Sequence, residues 1–268
     1  MEVDENGNIT KLLGVPSSSQ SIVYFQGSTG YNNGVYLLND ICKSRYGNAS
    51  LGAIARSLNI EDIESRMNAT GIAARNAYKS GTVQYGTTRK YTGSYTKYPA
   101  IYAQEKYSGI NVSDVADGTQ VITGSVDATA QAKMNPSGKA QSEDVYTAAT
   151  TDTSKTDATT LTCTKTYYYF SSTPSSYFDD TNFHNMIFGT ETYFWLASRC
   201  VNCYSSNSYA IFGLRFVNSS ALASFSLYLS NGRRYSYGNR LAPAVSLGSG
   251  VQIKSGSGTE DDPYVIGK

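Results

Sequence analysis

The sequence is poor in charged residues. Only 16% of its 268 residues are Asp, Glu, Lys or Arg, and the formal net charge is +1. Binding to nucleic acid or to an anionic membrane surface needs a concentrated positive field, so this composition excludes both as partners. Six prolines and a low content of Lys and Glu argue against a disordered chain and against a helical bundle. The length is sufficient for one large domain with a sizeable core.

Long apolar runs are also missing. No stretch of eighteen apolar residues occurs, and the first residues, MEVDENGNITK, lack the apolar segment of a signal peptide. We therefore expect no membrane-spanning helix in this sequence. Two interpretations stay open: the protein is not exported by that route, or an anchor precedes the segment seen here.

The usual markers of catalysis are absent. The sequence contains no GxSxG, HExxH, P-loop or GxGxxG motif, which removes the common signatures of acyl transfer, zinc hydrolysis and nucleotide binding. The one histidine, His184, falls in a predicted helix beside Phe183 and Phe188. With no second histidine or cysteine near it in the sequence, we predict a hydrogen-bonded, half-buried histidine and no enzyme activity.

Four cysteines, at positions 42, 163, 200 and 203, are too few for a disulfide scaffold. Cys200 and Cys203 form a CxxC, but a zinc site needs two further ligands, and a loop follows where a thioredoxin-like motif would start a helix. The pattern favours structural cysteines, then a local disulfide, then a metal site.

Two acidic clusters have the ligand chemistry of a calcium site. They are Asp179 with Asp180, and the Glu-Asp-Asp at residues 260–262. A helix cap and a turn are the simpler interpretations. We predict no cofactor, and a structural Ca²⁺ stays open.

Tyrosine and small polar residues are abundant instead. The chain has 23 tyrosines and 24 glycines, together with many Ser, Thr and Asn. This composition indicates a polar exterior faced with tyrosine, which is typical of extracellular and phage proteins that bind other surfaces.

The first half of the chain predicts two strands and two helices. ITKLLGV and SIVYFQG have strand character, and a helix capped by Asn32 or Asn33 follows, ending at residues 47–48. One face of this helix carries apolar side chains, namely Val35, Leu38, Ile41 and Cys42. Asn59 caps a second, shorter helix, in which Ile60, Ile63 and Met67 share a side.

Residues 110–165 differ in composition, being dominated by Thr, Ser, Ala, Asp and Gly. So few large apolar groups bury little area, and we predict a surface insertion there. Ordered segments follow: a short helix after Asp179 or Asp180, the strand TYFWLASR, which we expect to be central and covered on both faces, and the strands SYAIFGLRFV and ALASFSLYLS. Asn231 and Gly232 are the strongest turn signal. The predicted fold class is a single α+β domain over residues 1–268 with two helices and short antiparallel strands.

The C-terminal motifs resemble a known family. WLASR, the Asn-Gly turn and the closing NRLAPAVSL are similar to the variable region of target proteins of diversity-generating retroelements, in the gut Firmicutes and phage branch. The segments GYNNGVYLLNDICKSRYGN and SGSGTEDDPYVI resemble the same proteins. One departure is Ala242, where the family usually has arginine.

The resemblance implies a C-type-lectin-like fold, related to that of formylglycine-generating enzymes, whose variable face binds a ligand. It implies a receptor or adhesin on a bacterial cell surface or a phage virion, held by an N-terminal anchor that is pilin-like or membrane-bound. The partner would be a protein or a glycan on a target surface. A protein is favoured, because the sequence lacks the Glu-Pro-Asn or Gln-Pro-Asp triplet of calcium-dependent lectins.

The mechanism of variation that the family uses has a signature in the sequence. Adenine-directed replacement of asparagine codons cannot produce Lys, Glu, Gln, Met or Trp, and none of these occurs between Tyr204 and Asn239. The resemblance implies a variable region at residues 200–240, and this absence supports it.

Strand alternation then separates fixed from exposed positions. We assign Phe212, Leu214, Leu222 and Leu227 to the core. The predicted ligand-binding positions are Tyr204, Ser206, Tyr209, Ile211, Phe216, Ala221, Ala223, Phe225, Leu229, Arg233, Arg234, Tyr235, Ser236, Tyr237 and Asn239. Tyr, Arg, Ser and Asn together have the composition of a paratope, and apolar residues on an outer face need a partner.

Three alternatives stay open. The same positions would be buried if residues 110–165 cover them. An oxidase-like enzyme of this fold would use Cys200 and Cys203, and a structural pilus or tail subunit would self-associate.

Overall fold

A computed structural model describes most of the chain outside its Thr/Ser-rich middle. The described residues are 2–3, 5–6, 9–13, 22–80, 83–84, 87–91, 95, 98–99, 144–146, 154–155, 161–165, 172–189, 193–202, 209–257 and 261–268. Among them, no helix combines the length and apolarity needed to cross a membrane.

The described residues form four α-helices: α1 (Gly27–Tyr46), α2 (Ile60–Glu64), α3 (Ala69–Ala77) and α4 (Thr181–Phe188). Two short 3₁₀ turns lie at Ala49–Leu51 and Ser175–Tyr177. The sequence predicted α1, α2 and α4 but not α3. Asn68 caps α3, its side chain accepting from Gly71 N at 3.0 Å.

Helix α1 begins earlier than predicted. Its N-cap is Gln26, which makes no side-chain cap hydrogen bond, and Asn32 and Asn33 lie buried inside the helix. Both asparagines were therefore wrong as caps. The helix starts at Gly27, before the predicted caps, because strand β3 (Val23–Gln26) runs directly into it. The predicted apolar face of α1 is buried as expected.

Helix α2 follows its sequence signals closely. The Asn59 side chain accepts from Asp62 N and the Asp62 carboxylate accepts from Asn59 N, each at 2.9 Å, which is a complete capping box. Asp62 also forms a bidentate ion pair with Arg56, one bond of which is 2.6 Å long. That carboxylate holds the pKa of Arg56 above its ordinary value, so the pair anchors the helix start to the preceding strand.

Besides β3, the described strands are short and antiparallel in their pairing. In chain order they are β1 (Glu2–Val3), β2 (Ile9–Leu13), β4 (Ile54–Ser57), β5 (Lys79–Ser80), β6 (Val83–Gln84), β7 (Thr87–Tyr91), β8 (Tyr98–Pro99), β9 (Asp144–Tyr146), β10 (Ser154–Lys155), β11 (Leu161–Lys165), β12 (Phe194–Asn202), β13 (Ile211–Asn218), β14 (Ala221–Leu229), β15 (Arg233–Asn239), β16 (Pro243–Ser246), β17 (Gln252–Ser255) and β18 (Val265–Gly267).

The main sheet has the order β12-β13-β14-β15-β3, and β9 pairs with β15 beside β3. The sheet curls, because the end of β15 returns to the start of β12: Phe194 and Arg240 form a parallel bridge, and Trp195 N donates to Arg240 O at 2.9 Å. The fold is therefore mixed α+β around a curled antiparallel half-barrel with few helices.

A second sheet has the order β1-β2-β16-β4 and joins strands from the two ends of the described chain. Helix α1 packs between the two sheets. Its close fit depends on Gly34, where a Cβ would overlap the side chain of Leu214 on β13.

Two apolar clusters fill the interior. The larger one joins α1 to the concave side of the main sheet around Trp195 and Phe212, and the smaller one joins α2 and α4 to β12 around Leu196. Strand β12 is thus covered on both faces, as predicted, but it is not central, since it lies at the end of the strand order.

The range 110–165 contributes three short strands. β9 pairs with β15, β10 with β8, and β11 with β7. The prediction that this range is a surface insertion concerns mainly residues outside the described set.

Candidate ligand-binding surface

A continuous row of rings crosses the main sheet from the core to its half-buried side. Phe216 stacks on Phe225 with centroids 3.9 Å apart and planes 3° apart, and Phe225 stacks on Tyr237 at 4.1 Å. Trp195 meets both phenylalanines edge-on, at 6.5 and 5.6 Å. Tyr235 extends the row, 6.1 Å from Tyr237. We call these five residues the aromatic row.

Burial decreases along the aromatic row. Trp195 is fully buried and Phe216 is 5% exposed, whereas Phe225, Tyr237 and Tyr235 are half-buried. Beyond Tyr235, the guanidinium of Arg233 lies 5.5 Å from the ring centroid. Phe225 and Tyr237 each lie between two other rings of the row, whereas Tyr235 ends it, and a part of all three side chains stays accessible.

The accessible end is held by strong local constraints. Gly232 takes φ 93°, which favours glycine, and the side chain of Asn231 accepts from Arg233 N at 3.0 Å. The Asn-Gly turn is thus confirmed and sets the start of β15. At the other hairpin, Ser219 takes φ 38° in the two-residue connection between β13 and β14.

Seven members of the predicted set are half-buried, and they lie just before β13 or on β13, β14 and β15. They are Tyr209, Ile211, Phe225, Arg233, Arg234, Tyr235 and Tyr237. Burial raises the pKa of the Tyr237 phenol above its ordinary value, so this ring is neutral over the physiological range. Tyr204 and Ser206 lie outside the described residues.

The predicted exposure is wrong for six other positions, which are buried: Phe216, Ala221, Ala223, Leu229, Ser236 and Asn239.

The register explains the first three. Phe216 is two residues from Leu214 and four from Phe212, so it shares their core-facing side. Ala223 pairs with Phe216, and Ala221 pairs with Asn218, which places both alanines on that side as well.

The other three are buried by their neighbours in the fold. Leu229 ends β14 where the chain folds back, with Ser230 N donating to Ala210 O at 3.0 Å. Ser236 and Asn239 lie on β15 opposite Gln26 and Val23 of β3, whose neighbours Tyr24 and Phe25 are buried. The sequence predicts β3 as a strand, but nothing in its local pattern shows that β3 pairs with β15.

The core set was predicted correctly: Phe212, Leu214, Leu222 and Leu227 are all buried. Leu227 shows how. It is the extra residue of a bulge, since Phe212 pairs with Tyr228 while Gly213 pairs with Ser226. A Cβ at position 213 would overlap the carbonyl of Phe225, so glycine is required opposite the bulge.

Buried polar groups tie β12 to α1 and to β3 beneath this surface. Arg199 is fully buried; its Nε donates to Tyr31 O at 3.2 Å and one terminal nitrogen donates to Asn32 O at 2.6 Å. Trp195 Nε1 donates to Val23 O at 2.9 Å. The WLASR segment therefore acts as a structural support for the aromatic row.

Three of the remaining candidate residues make structural hydrogen bonds, and Glu260 lies outside the described residues. Asp180 caps α4, accepting from Phe183 N at 3.0 Å, and Asp262 accepts from Ser257 N at 2.8 Å in a turn. His184 is half-buried and its Nε2 donates to Thr173 O at 2.7 Å, as predicted. Cys200 is buried, and Cys203 lies outside the described residues. Within the described part of the chain, no three His, Cys, Asp or Glu side chains are grouped as metal ligands would be.

A cleft that the sequence did not predict lies between α1 and β4. It has a volume of about 360 Å³ and is lined by Tyr36, Asn39, Asp40, Lys43, Ile54, Ala55, Arg56 and Ser246. We call it the α1–β4 cleft. The residues come from three distant segments, so only the pairing of β4 with β16 and the packing of α1 bring them together.

The chain matches no protein-family model, no curated protein and no solved structure.

Proposed function

We propose that the chain is a non-enzymatic binding protein with a C-type-lectin-like fold, whose half-buried surface around the aromatic row recognises a protein on another cell. The observation that carries this proposal is the aromatic row itself. Stacked rings give large contact area at low entropy cost, and an arginine beside them supplies adaptable hydrogen bonds. The three outer rings, those of Phe225, Tyr237 and Tyr235, are half-buried and lie on strands rather than on a loop, which reduces the ordering cost of binding.

The proposal includes diversification of this surface by a retroelement. Seven predicted positions are half-buried, and substitutions there would change the accessible surface while the buried support beneath stays the same. The resemblance of the C-terminal motifs to retroelement target proteins points the same way. So does the absence of Lys, Glu, Gln, Met and Trp between Tyr204 and Asn239.

Genomic sequence tests diversification directly. The expected result is a near-copy of the DNA for residues 200–240 beside a reverse-transcriptase gene, with asparagine codons at the half-buried positions. A genome with the complete locus but neither element would refute diversification and leave only the binding function.

Cell binding tests the recognition itself. Fluorescent protein is incubated with a panel of bacterial cells, and bound protein is measured by flow cytometry. Tyr235→Ala combined with Arg233→Ala should weaken binding at least about tenfold, because aromatic and arginine anchors dominate such interfaces. Tyr264→Ala is the matched control, since Tyr264 is an exposed tyrosine that directly precedes β18 and is not part of the aromatic row.

Protease treatment of the target cells should abolish binding, whereas periodate oxidation of glycans should not. Equal binding by the double variant and the control variant would exclude the aromatic row as the recognition surface. Loss after periodate alone would show that the ligand is a glycan.

A further inference from the structure

The α1–β4 cleft has an apolar wall that the fold leaves uncovered. Ile54 is 67% exposed although it lies in a strand, because alternation along β4 directs Ile54 and Arg56 outward while Ala55 and Ser57 are buried. Tyr36 on α1 provides further apolar surface in the same cleft. The volume, about 360 Å³, is at the lower end of the range of small-molecule sites.

The edge of β4 that faces α1 is already occupied at both ends. The Asn39 side chain accepts from Ser57 N at 3.1 Å, and the bridge between Asn48 and Ala53 takes the other end. Because successive residues of an antiparallel strand direct their amides to opposite sides, the N–H and C=O of Ala55 point the same way as those of Ser57, towards the cleft. The cleft therefore presents the backbone N–H and C=O of Ala55 alone. One residue is too few to pair with a partner strand but is enough to hydrogen-bond a small ligand.

Two opposite charges lie on the helical wall. Asp40 and Lys43 are three positions apart on α1, so their side chains are neighbours on its surface, and both line the cleft. Within the described residues, neither side chain forms a hydrogen bond or an ion pair. The third charged group, Arg56, is held by both oxygens of Asp62 and is thereby neutralised.

We propose that the α1–β4 cleft binds a free α-amino acid with an aliphatic side chain, of the size of leucine. Asp40 receives the ammonium group, Lys43 and the Ala55 N–H receive the carboxylate, and Ile54 with Tyr36 contacts the side chain. This site uses no residue of the aromatic row, so it stands or falls independently of the proposed function.

Calorimetric titration of the full chain with three probes tests the site. L-Leucine should bind saturably with a Kd below about 1 mM. N-acetyl-L-leucine, which lacks the ammonium, and L-leucinamide, which lacks the carboxylate, should each bind about tenfold or more weakly, since each loses a charge-assisted contact.

Substitutions identify the partner of each charge. In Asp40→Asn the affinities for L-leucine and N-acetyl-L-leucine should become equal. In Lys43→Met those for L-leucine and L-leucinamide should become equal. Arg45→Met, a loss of positive charge on the same helix outside the cleft, should bind like the wild type.

Three results overturn the proposal: no saturable binding of L-leucine up to about 10 mM, equal affinity of the wild type for all three probes, or an equal loss of affinity for every probe in both cleft variants. The three substituted residues, Asp40, Lys43 and Arg45, are exposed, so each variant should fold. An unchanged midpoint of thermal unfolding would confirm that each variant is folded.

Discussion

Replacing Phe216 by alanine distinguishes a structural position from a variable one. Phe216 is 5% exposed, stacks on Phe225 at 3.9 Å and meets Trp195 at 6.5 Å. Truncating a buried phenylalanine costs about 3–5 kcal/mol, of which a ring pair accounts for about 1 kcal/mol. At roughly 2–4 °C per kcal/mol for a chain of this size, the midpoint of thermal unfolding should fall by at least about 6 °C.

The assay is thermal and urea unfolding followed by circular dichroism, with Tyr235→Ala as the matched control on the same row. Because Tyr235 is half-buried, its truncation should cost about 1 kcal/mol or less. The double variant Phe216→Ala with Phe225→Ala should lose about 1 kcal/mol less than the sum of the single variants, which measures the stack itself.

A loss below about 1 kcal/mol for Phe216→Ala, or equal losses for Phe216→Ala and Tyr235→Ala, would refute the assignment of Phe216 to the core. The alternation rule that corrects the predicted surface would then fail as well.

Three further substitutions test other parts of the structure. Asp180→Ala should lower the free energy of unfolding by about 1 kcal/mol through loss of the α4 cap, measured against Asn182→Ala, an exposed change on the same helix. Arg199→Met should cost about 3 kcal/mol in the same urea assay, since two charge-assisted bonds to α1 carbonyls are lost; an effect under about 1 kcal/mol would contradict that role. Burial raises the pKa of the Cys42 thiol to about 12, so the folded state favours the neutral form, and its stabilisation is complete below about pH 9 and lost as pH rises towards 12. Relative to Cys42→Val, the wild type should therefore lose up to about 1.4 kcal/mol per pH unit in that window, and identical pH profiles would show that the thiol is not buried.

Local chemistry made several elements predictable. The caps at Asn59 and Asp180 depend on residues within three positions of each other. Asn59 was predicted as a cap and α4 was predicted to start after Asp179 or Asp180, but the reciprocal bond to the Asp62 carboxylate was not predicted. The same locality holds for the Asn231 and Gly232 turn, where only a residue that tolerates positive φ fits. The buried face of α1 followed from helical periodicity alone.

The predicted surface failed for two reasons, one within a strand and one between strands. Alternation was applied correctly to Phe212 and Leu214 but not continued to Phe216, which has the same parity. The bulge at Leu227 then shifts the register by one residue, and no local pattern marks it except Gly213 opposite.

The sequence by itself determined the elements with short-range signals: the α1 face, the starts of α2 and α4, the hairpin turn and the apolar strands of an α+β domain. Tertiary structure alone decided that β3 and β9 pair with β15, that Leu229, Ser236 and Asn239 are buried, and that α1 and β4 enclose a cleft. The reason is physical: caps and turns are satisfied by neighbours along the chain. Burial of a strand face depends on which distant segment packs against it, and a single strand's pattern does not record that segment.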